Sequence, residues 1–219
     1  MDSIYLAEQR RRRRERLRWV VLGLLLAIGV VGYYGPWVPH KAAGLVVIGL
    51  DLAEYVKFLP DVIAGRVVLI RELFYLPLLA ASASAALMAS RRNLPRWSRV
   101  LLGLISLPLA AAMLPPAWSP AGLLLPEFRL QVVVMLVCWL LVPAAWLTRY
   151  LPNRLVLIII LLLCLAAAIA PAWGFWQVHP GIEALYRQPL PPGWGFLVST
   201  GGFFAAALFA CAETLRRSV

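Results

Sequence analysis

Hydrophobic positions in this chain come in solid blocks, not at the spacing of a surface helix or an alternating strand. The blocks recur from Trp19 to the C-terminus between short polar segments. A helix needs about 20 apolar residues to cross the hydrocarbon of a bilayer, and about 17 at the least. On that ruler the blocks predict six spans, near residues 18–35, 72–90, 99–115, 129–147, 155–173 and 195–214. The predicted fold class is all-α, a polytopic integral membrane helical bundle. A basic tail (1–17) precedes the membrane domain (18–214) and a short tail (215–219) follows it. The first block follows basic residues, as a secretory signal would. It runs into Gly32, Tyr33, Tyr34, Gly35, Pro36 and Trp37 with no small-x-small cleavage site, so it reads as a retained anchor.

The connections alternate in kind. Two loops, Arg91 to Arg99 and Thr148 to Arg154, are short enough to make their flanking spans antiparallel neighbours, which predicts three helical hairpins. On the opposite side, residues 42–59 carry Asp51, Glu54 and Lys57 every three residues, one charged stripe of a helix that is amphipathic from Gly49 onward. The uncharged run from Ala42 to Leu50 is too short to cross a bilayer. The expectation is therefore an outer amphipathic helix, interfacial or partly re-entrant, ended by Pro60. A second short outer helix is expected between Pro180 and Pro192.

Composition agrees with lipid as the main solvent: 62% of residues are hydrophobic and 14% charged, against roughly half and a quarter in soluble domains. The net charge of +11 raises nucleic acid as a partner, so the placement of the charges decides. The predicted inner segments hold Arg10 to Arg14, Arg16 and Arg18, then Arg91, Arg92, Arg96 and Arg99, then Arg149 and Arg154, then Arg216 and Arg217. The outer segments hold Lys41, Lys57, Arg66, Arg71, Arg129 and Arg187, balanced by Asp51, Glu54, Asp61, Glu72, Glu127 and Glu183. By the positive-inside rule both termini are cytoplasmic in the cell membrane, and the basic tail meets anionic lipid headgroups rather than nucleic acid. Trp19, Trp97 and Tyr150 mark the inner interface; Tyr33, Tyr34, Trp37, Trp118, Trp173, Trp176 and Trp194 mark the outer. Trp139 and Trp146 fall within the fourth span.

Chemistry-bearing residues are few. Gly-x-Trp-x-x-His occurs twice, at Gly35, Trp37 and His40 and at Gly174, Trp176 and His179. Imidazole ligates haem iron, copper or zinc, so His40 and His179 are candidate ligands of one outer site, or the pattern marks an internal duplication. The competing reading is ordinary interface composition. Arg71, Glu72, Glu127 and Arg129 stand at outer span ends, either snorkelling and pairing or converging on one partner or ligand site. Asp51, Glu54 and Lys57 are contact candidates of the same kind. Small residues mark packing faces, with Ala81 and Ala85 in the second span and Gly202 and Ala206 in the sixth. Pro77, Pro108 and Pro143 are expected to kink their spans. Cys138, Cys164 and Cys211 lie in apolar blocks with no CxxC spacing, so no metal site is expected. GxSxG, HExxH and Walker patterns are missing from the sequence, which turns the expectation away from an enzyme.

Three functions fit these residues. The first is a non-catalytic subunit that packs against partner helices and presents its outer amphipathic helix to a larger membrane complex. The second is a permease-type transport subunit. Six spans, inner termini, a basic N-terminal segment and a helical element before the last span are similar to the topology of ABC-2-type permeases, a likeness that no sequence motif carries. The third is a redox or cofactor-binding subunit resting on His40 and His179, with haem as the group they would hold; otherwise no cofactor is expected.

Overall fold

The computed structural model describes residues 2–114, 123 and 125–216. Trp118 and Arg217, and the side chain of Trp146, lie outside what is described. The fold is all-α, with one two-stranded hairpin as its sheet among the described residues.

Helix α1 (Asp2–Tyr33) carries the basic segment and the first apolar block without a break, so the predicted tail is the first half of a helix. A cap follows. Strand β1 (Pro36–Val38) pairs antiparallel with β2 (Val47–Ile48), and α2 (Gly49–Tyr55) runs into a 3-10 turn over Val56–Phe58. Helix α3 (Pro60–Ile63) and a second 3-10 turn (Arg71–Tyr75) lead to α4 (Leu76–Ala89). Next come α5 (Arg96–Ala111), α6 (Arg129–Leu141), α7 (Ala145–Thr148), α8 (Asn153–Tyr186) and α9 (Trp194–Leu215). Four stretches are long and apolar enough to cross a membrane: Glu8–Tyr33, Arg71–Ala89, Asn153–Tyr186 and Trp194–Leu215. At 16 and 13 residues, α5 and α6 cover the other two predicted spans but are shorter.

Several boundaries differ from the expectation, each for a stated reason. The outer amphipathic helix begins only at Gly49; the run before it holds Val46, Val47 and Ile48, β-branched residues that favour the extended pairing with β1. Its apolar face is not laid on lipid, because Leu52, Ala53, Val56 and Leu59 are buried in the chain's own core. The short helix expected from Pro180 is instead the end of α8, which runs through Pro171 and Pro180. Proline removes one backbone bond but does not end a membrane helix whose neighbours support it. Pro77 sits at the start of α4, where its missing N–H costs nothing, and Pro143 lies in the break between α6 and α7. Pro108 alone of the three is inside a helix.

Helix α9 packs between α1 and α8, α4 packs on α8 and α5, and α6 packs on α5 and α4. Spans four and five, expected to be neighbours across a short loop, are therefore not each other's main contacts among the described residues. Small residues explain why α4 is the most enclosed helix: Ala80, Ala81, Ser82, Ala83, Ser84, Ala85 and Ala86 are all buried. Within that contact the Ser82 and Ser106 hydroxyls each donate to the other's backbone carbonyl at 2.9 Å and lie 3.0 Å apart, so two polar side chains are satisfied inside the bundle.

Arg187 ends α8 in the left-handed region, φ 53° and ψ 32°, with Gln188 N–H donating to the Glu183 carbonyl at 3.4 Å. Only glycine adopts that geometry without penalty. Arg187→Gly is expected to stabilise the protein by up to about 1 kcal/mol. A thermal melt checks this, and a lower melting temperature would show that the arginine side chain outweighs the strain.

Candidate functional site

The cap holds the polar chemistry of one end of the bundle, and Arg71 is its centre. Arg71 lies at the start of the 3-10 turn leading into α4, its side chain only 13% exposed. Nη1 donates to Glu54 Oε1 at 3.2 Å, Nε to Glu72 Oε1 at 3.2 Å and Nη2 to the Glu127 carbonyl at 2.6 Å, while the guanidinium stands 5.4 Å from the Phe128 ring centroid. Lys57 pairs with Glu54 from the next turn, and the Tyr75 hydroxyl reaches Glu54 Oε1 at 3.4 Å. Four of the predicted contact residues (Arg71, Glu72, Glu54 and Lys57) thus meet in one network, and Glu127 joins it through its backbone. Arg129 is exposed. The network joins segments distant in sequence: α2, the turn before α4 and the turn before α6. A planar guanidinium with five donors in a fixed fork suits that task.

Asp51 and His40 line a different feature, a cavity of about 490 Å³ between the β1–β2 loop, α2 and the end of α8. Tyr55 and Tyr186 line it too. The Tyr186 hydroxyl donates to the Leu45 carbonyl at 2.8 Å. Burial, helped by the neighbouring Tyr186 phenol, pushes the Tyr55 phenol well above its ordinary range. Partial desolvation likewise raises the Asp51 carboxyl, against a backbone bond from Ile48 that lowers it. His40 Nδ1 accepts the Ala42 N–H at 3.0 Å, which puts the ring proton on Nε2 of the neutral imidazole, and the ring stands edge-on to Tyr186. An acid, an imidazole and two phenols in one cleft offer both donors and acceptors to a polar group.

His179 is elsewhere: 8% exposed, against Phe175 and Trp176, with Nδ1 3.9 Å from Glu183 Oε2. It does not line the His40 cavity, and the two Gly-x-Trp-x-x-His copies have different backbones, one leading through β1 and the other inside α8. Trp37 is buried and packs against Tyr33, Phe74, Phe175 and Phe196, whereas Trp176 is exposed. Among the described residues no group of three or more His, Cys, Asp and Glu comes together.

Ala81, Ala85, Gly202 and Ala206 are all buried helix-contact residues. What the sequence did not supply is the other half of the sixth-span face. Gly202 lies on the backbone of Gly29, Gly32 on that of Ser199 and Gly195 on that of Gly35, a seam where α1 and the residues just past its end touch α9 main chain to main chain. The three-residue spacing of Gly29, Gly32 and Gly35 was the available clue. Also unforeseen is Gln131, buried at 3% exposure beside an apolar cavity of about 200 Å³, its carboxamide atoms unbonded among the described residues.

The opposite end of the bundle is equally polar. Glu213 is 2% exposed and pairs with Arg18 Nε at 2.9 Å and Arg216 Nη1 at 3.1 Å. Asn93 Nδ2 donates to Glu15 Oε2 at 2.6 Å, and Arg16 Nε donates to the Asn93 carbonyl. Arg91, 3% exposed, donates to the carbonyls of Thr148 and Leu151. Helix α1, both arginine-bearing loops and the end of α9 therefore meet at one end.

No protein-family model, curated protein or solved structure matches this chain.

Proposed function

We propose that the chain is a non-catalytic subunit of a larger membrane complex, packing against partner helices and meeting its partner with the cap. The observation that carries this reading is an exposed apolar rim within residues 58–70. Phe58 is 73% exposed, Ile63 71%, Val68 87% and Ile70 62%. Scattered surface hydrophobes are ordinary, but four on one short connection are the composition of a docking surface. The backbone beneath them is ordered by its own bonds. Gly65, φ 69°, donates to Val62 and Arg66 N–H to Asp61, a Schellman ending to α3, and the Arg66 side chain pairs with Asp61. Lys57 and Arg71 pin the two ends through Glu54.

In this reading the bundle spans six times, with both termini in the cytoplasm, and lies in the cell membrane. Support comes from the two polar layers. Arg71 holds Glu127 at the cap end, while Arg91 holds Thr148 and Leu151 at the arginine-rich end, so α6 and α7 together cover the distance that α4 covers. The exposed residues of α5 and α6, among them Leu101, Leu104, Val133 and Leu140, are apolar as a lipid face requires.

Gentle solubilisation followed by sizing of the native particle tests the proposal. The wild-type chain is expected in a particle larger than itself. Replacing Phe58, Ile63, Val68 and Ile70 together with serine is expected to release it without lowering its melting temperature. A wild-type particle holding this chain alone, or a substituted chain that stays in the complex, overturns the reading. A reporter inserted at Glu127 tests the span count, since six spans place it across the membrane from one inserted at Arg92.

A further inference from the structure

The arginine-rich end contains a cavity that neither the partner reading nor the membrane topology uses. It has a volume of about 300 Å³ and is lined by Arg91, Arg92, Arg149, Asn93 and Asn153 among others, with no carboxylate among the described residues of its wall. Glu15, on α1, is engaged by Asn93.

Two features of the wall bear on what would fill it. Arg91 is buried, and all its hydrogen bonds go to neutral acceptors: Ser90 Oγ at 2.8 Å from Nε, the Leu151 carbonyl at 3.0 Å and Asn153 Oδ1 at 3.3 Å from Nη1, and the Thr148 carbonyl from Nη2. Its donors are satisfied, but no carboxylate among the described residues pairs with its charge, and burying an ion without a counter-charge is unfavourable. Burial accordingly pulls the Arg91 pKa down. The second feature is the start of α8. Pro152 and Asn153 line the cavity, and the 34-residue helix begins there with no side-chain cap. Its first N–H groups and the positive end of its dipole therefore remain for an external acceptor. Arg92 and Arg149, both exposed, add two cations at the mouth, Arg149 also donating from Nη2 to the Tyr150 hydroxyl at 2.6 Å.

We infer that this cavity binds a phosphate oxyanion, with Arg92, Arg149 and the first N–H groups of α8 as donors and buried Arg91 as the fixed charge behind it. A phosphate accepts several donors at once and neutralises the arginines, as anions do at helix N-termini and as lipid headgroups do in basic pockets between membrane helices. The source is a phospholipid headgroup in the adjoining leaflet or a free phosphate. The inference stands whether or not the cap docks a partner.

The test uses the full chain, in nanodiscs of phosphatidylcholine with and without phosphatidylglycerol, and in phosphatidylcholine alone with inorganic phosphate. The readouts are melting temperature and retention of the lipid in native mass spectrometry. Arg92→Gln and Arg149→Gln lie on exposed side chains and leave the Arg91 contacts in place. Each is expected to weaken binding about fivefold, from about 1 kcal/mol per basic residue. Replacing Arg10 to Arg14 with glutamine, outside the cavity, lowers the tail's own attraction for anionic lipid and is expected to leave the losses caused by Arg92→Gln and Arg149→Gln in place. Protection by phosphatidylglycerol that these two variants reduce identifies a lipid headgroup, and protection by inorganic phosphate that they reduce identifies the free ion. Protection in neither condition, or protection that follows the tail substitutions instead, overturns the inference.

Discussion

A valine at Gly32 is expected to prevent the first and last helices from closing on each other, destabilising the protein by about 3 kcal/mol, the upper part of the usual range for overpacking. A Cβ on Gly32 would stand 2.2 Å from Ser199 N and 2.6 Å from Val198 C, and one on Gly202 would stand 2.5 Å from Gly29 N. These neighbours are backbone atoms, so no rotamer change relieves the clash; the two helices must separate along their length. Separation has a particular cost in lipid. Helix association there depends on close packing rather than on expulsion of water, and small residues are what permit the approach. The internal control is Gly201, one residue from the seam, where an added Cβ meets nothing within 4 Å. Gly201→Ala is expected to be neutral or slightly stabilising, since alanine is the better helix former. Thermal melts of both variants in the same detergent decide the matter. Equal melting temperatures for Gly32→Val and the unsubstituted chain would mean that the seam is not a structural contact.

That seam shows how much of the molecule can be read along the chain and where reading stops. The all-α class and the apolar helices were legible because block hydrophobicity is a local property. Gly202 and Ala206 could be named as a packing face for the same reason. Their partner could not, because α1 and α9 stand at opposite ends of the chain and nothing local to Gly29 refers to Gly202. The cap repeats the lesson. The stripe of Asp51, Glu54 and Lys57 was visible, but Glu54 and Lys57 turn toward Arg71 while Asp51 lines the cavity with His40, a division set by tertiary packing. One proline misled: α8 continues through Pro180, where a separate helix was expected, whereas Pro143 does fall at a break, between α6 and α7. Among the loop arginines Arg91 looked like a topology signal with the others. Its burial depends on the carbonyls of Thr148 and Leu151, which belong to another loop.

The second large effect is expected at the other contact between the same two helices. Arg18→Leu should cost about 3–5 kcal/mol, the usual consequence of removing one partner from a buried ion pair. The reason is asymmetric burial. Glu213 is 2% exposed, whereas the Arg18 side chain is 33% exposed and that of Arg216 69%. Taking away Arg18 leaves an enclosed carboxylate with one partner among the described residues, Arg216, which is itself mostly in solvent and sits three residues further along at the helix end. The converse change, Glu213→Leu, leaves two arginines that water can still reach, so its cost should be clearly smaller. The double variant separates the worth of the pair from the penalty of breaking it. Apolar side chains of similar volume in place of a buried pair are commonly neutral or stabilising, so Arg18→Leu with Glu213→Leu should return most of the loss seen in Arg18→Leu alone. Unfolding measured for the four proteins of this cycle gives the coupling directly. Additive effects of the two substitutions would show that the enclosed carboxylate does not depend on Arg18.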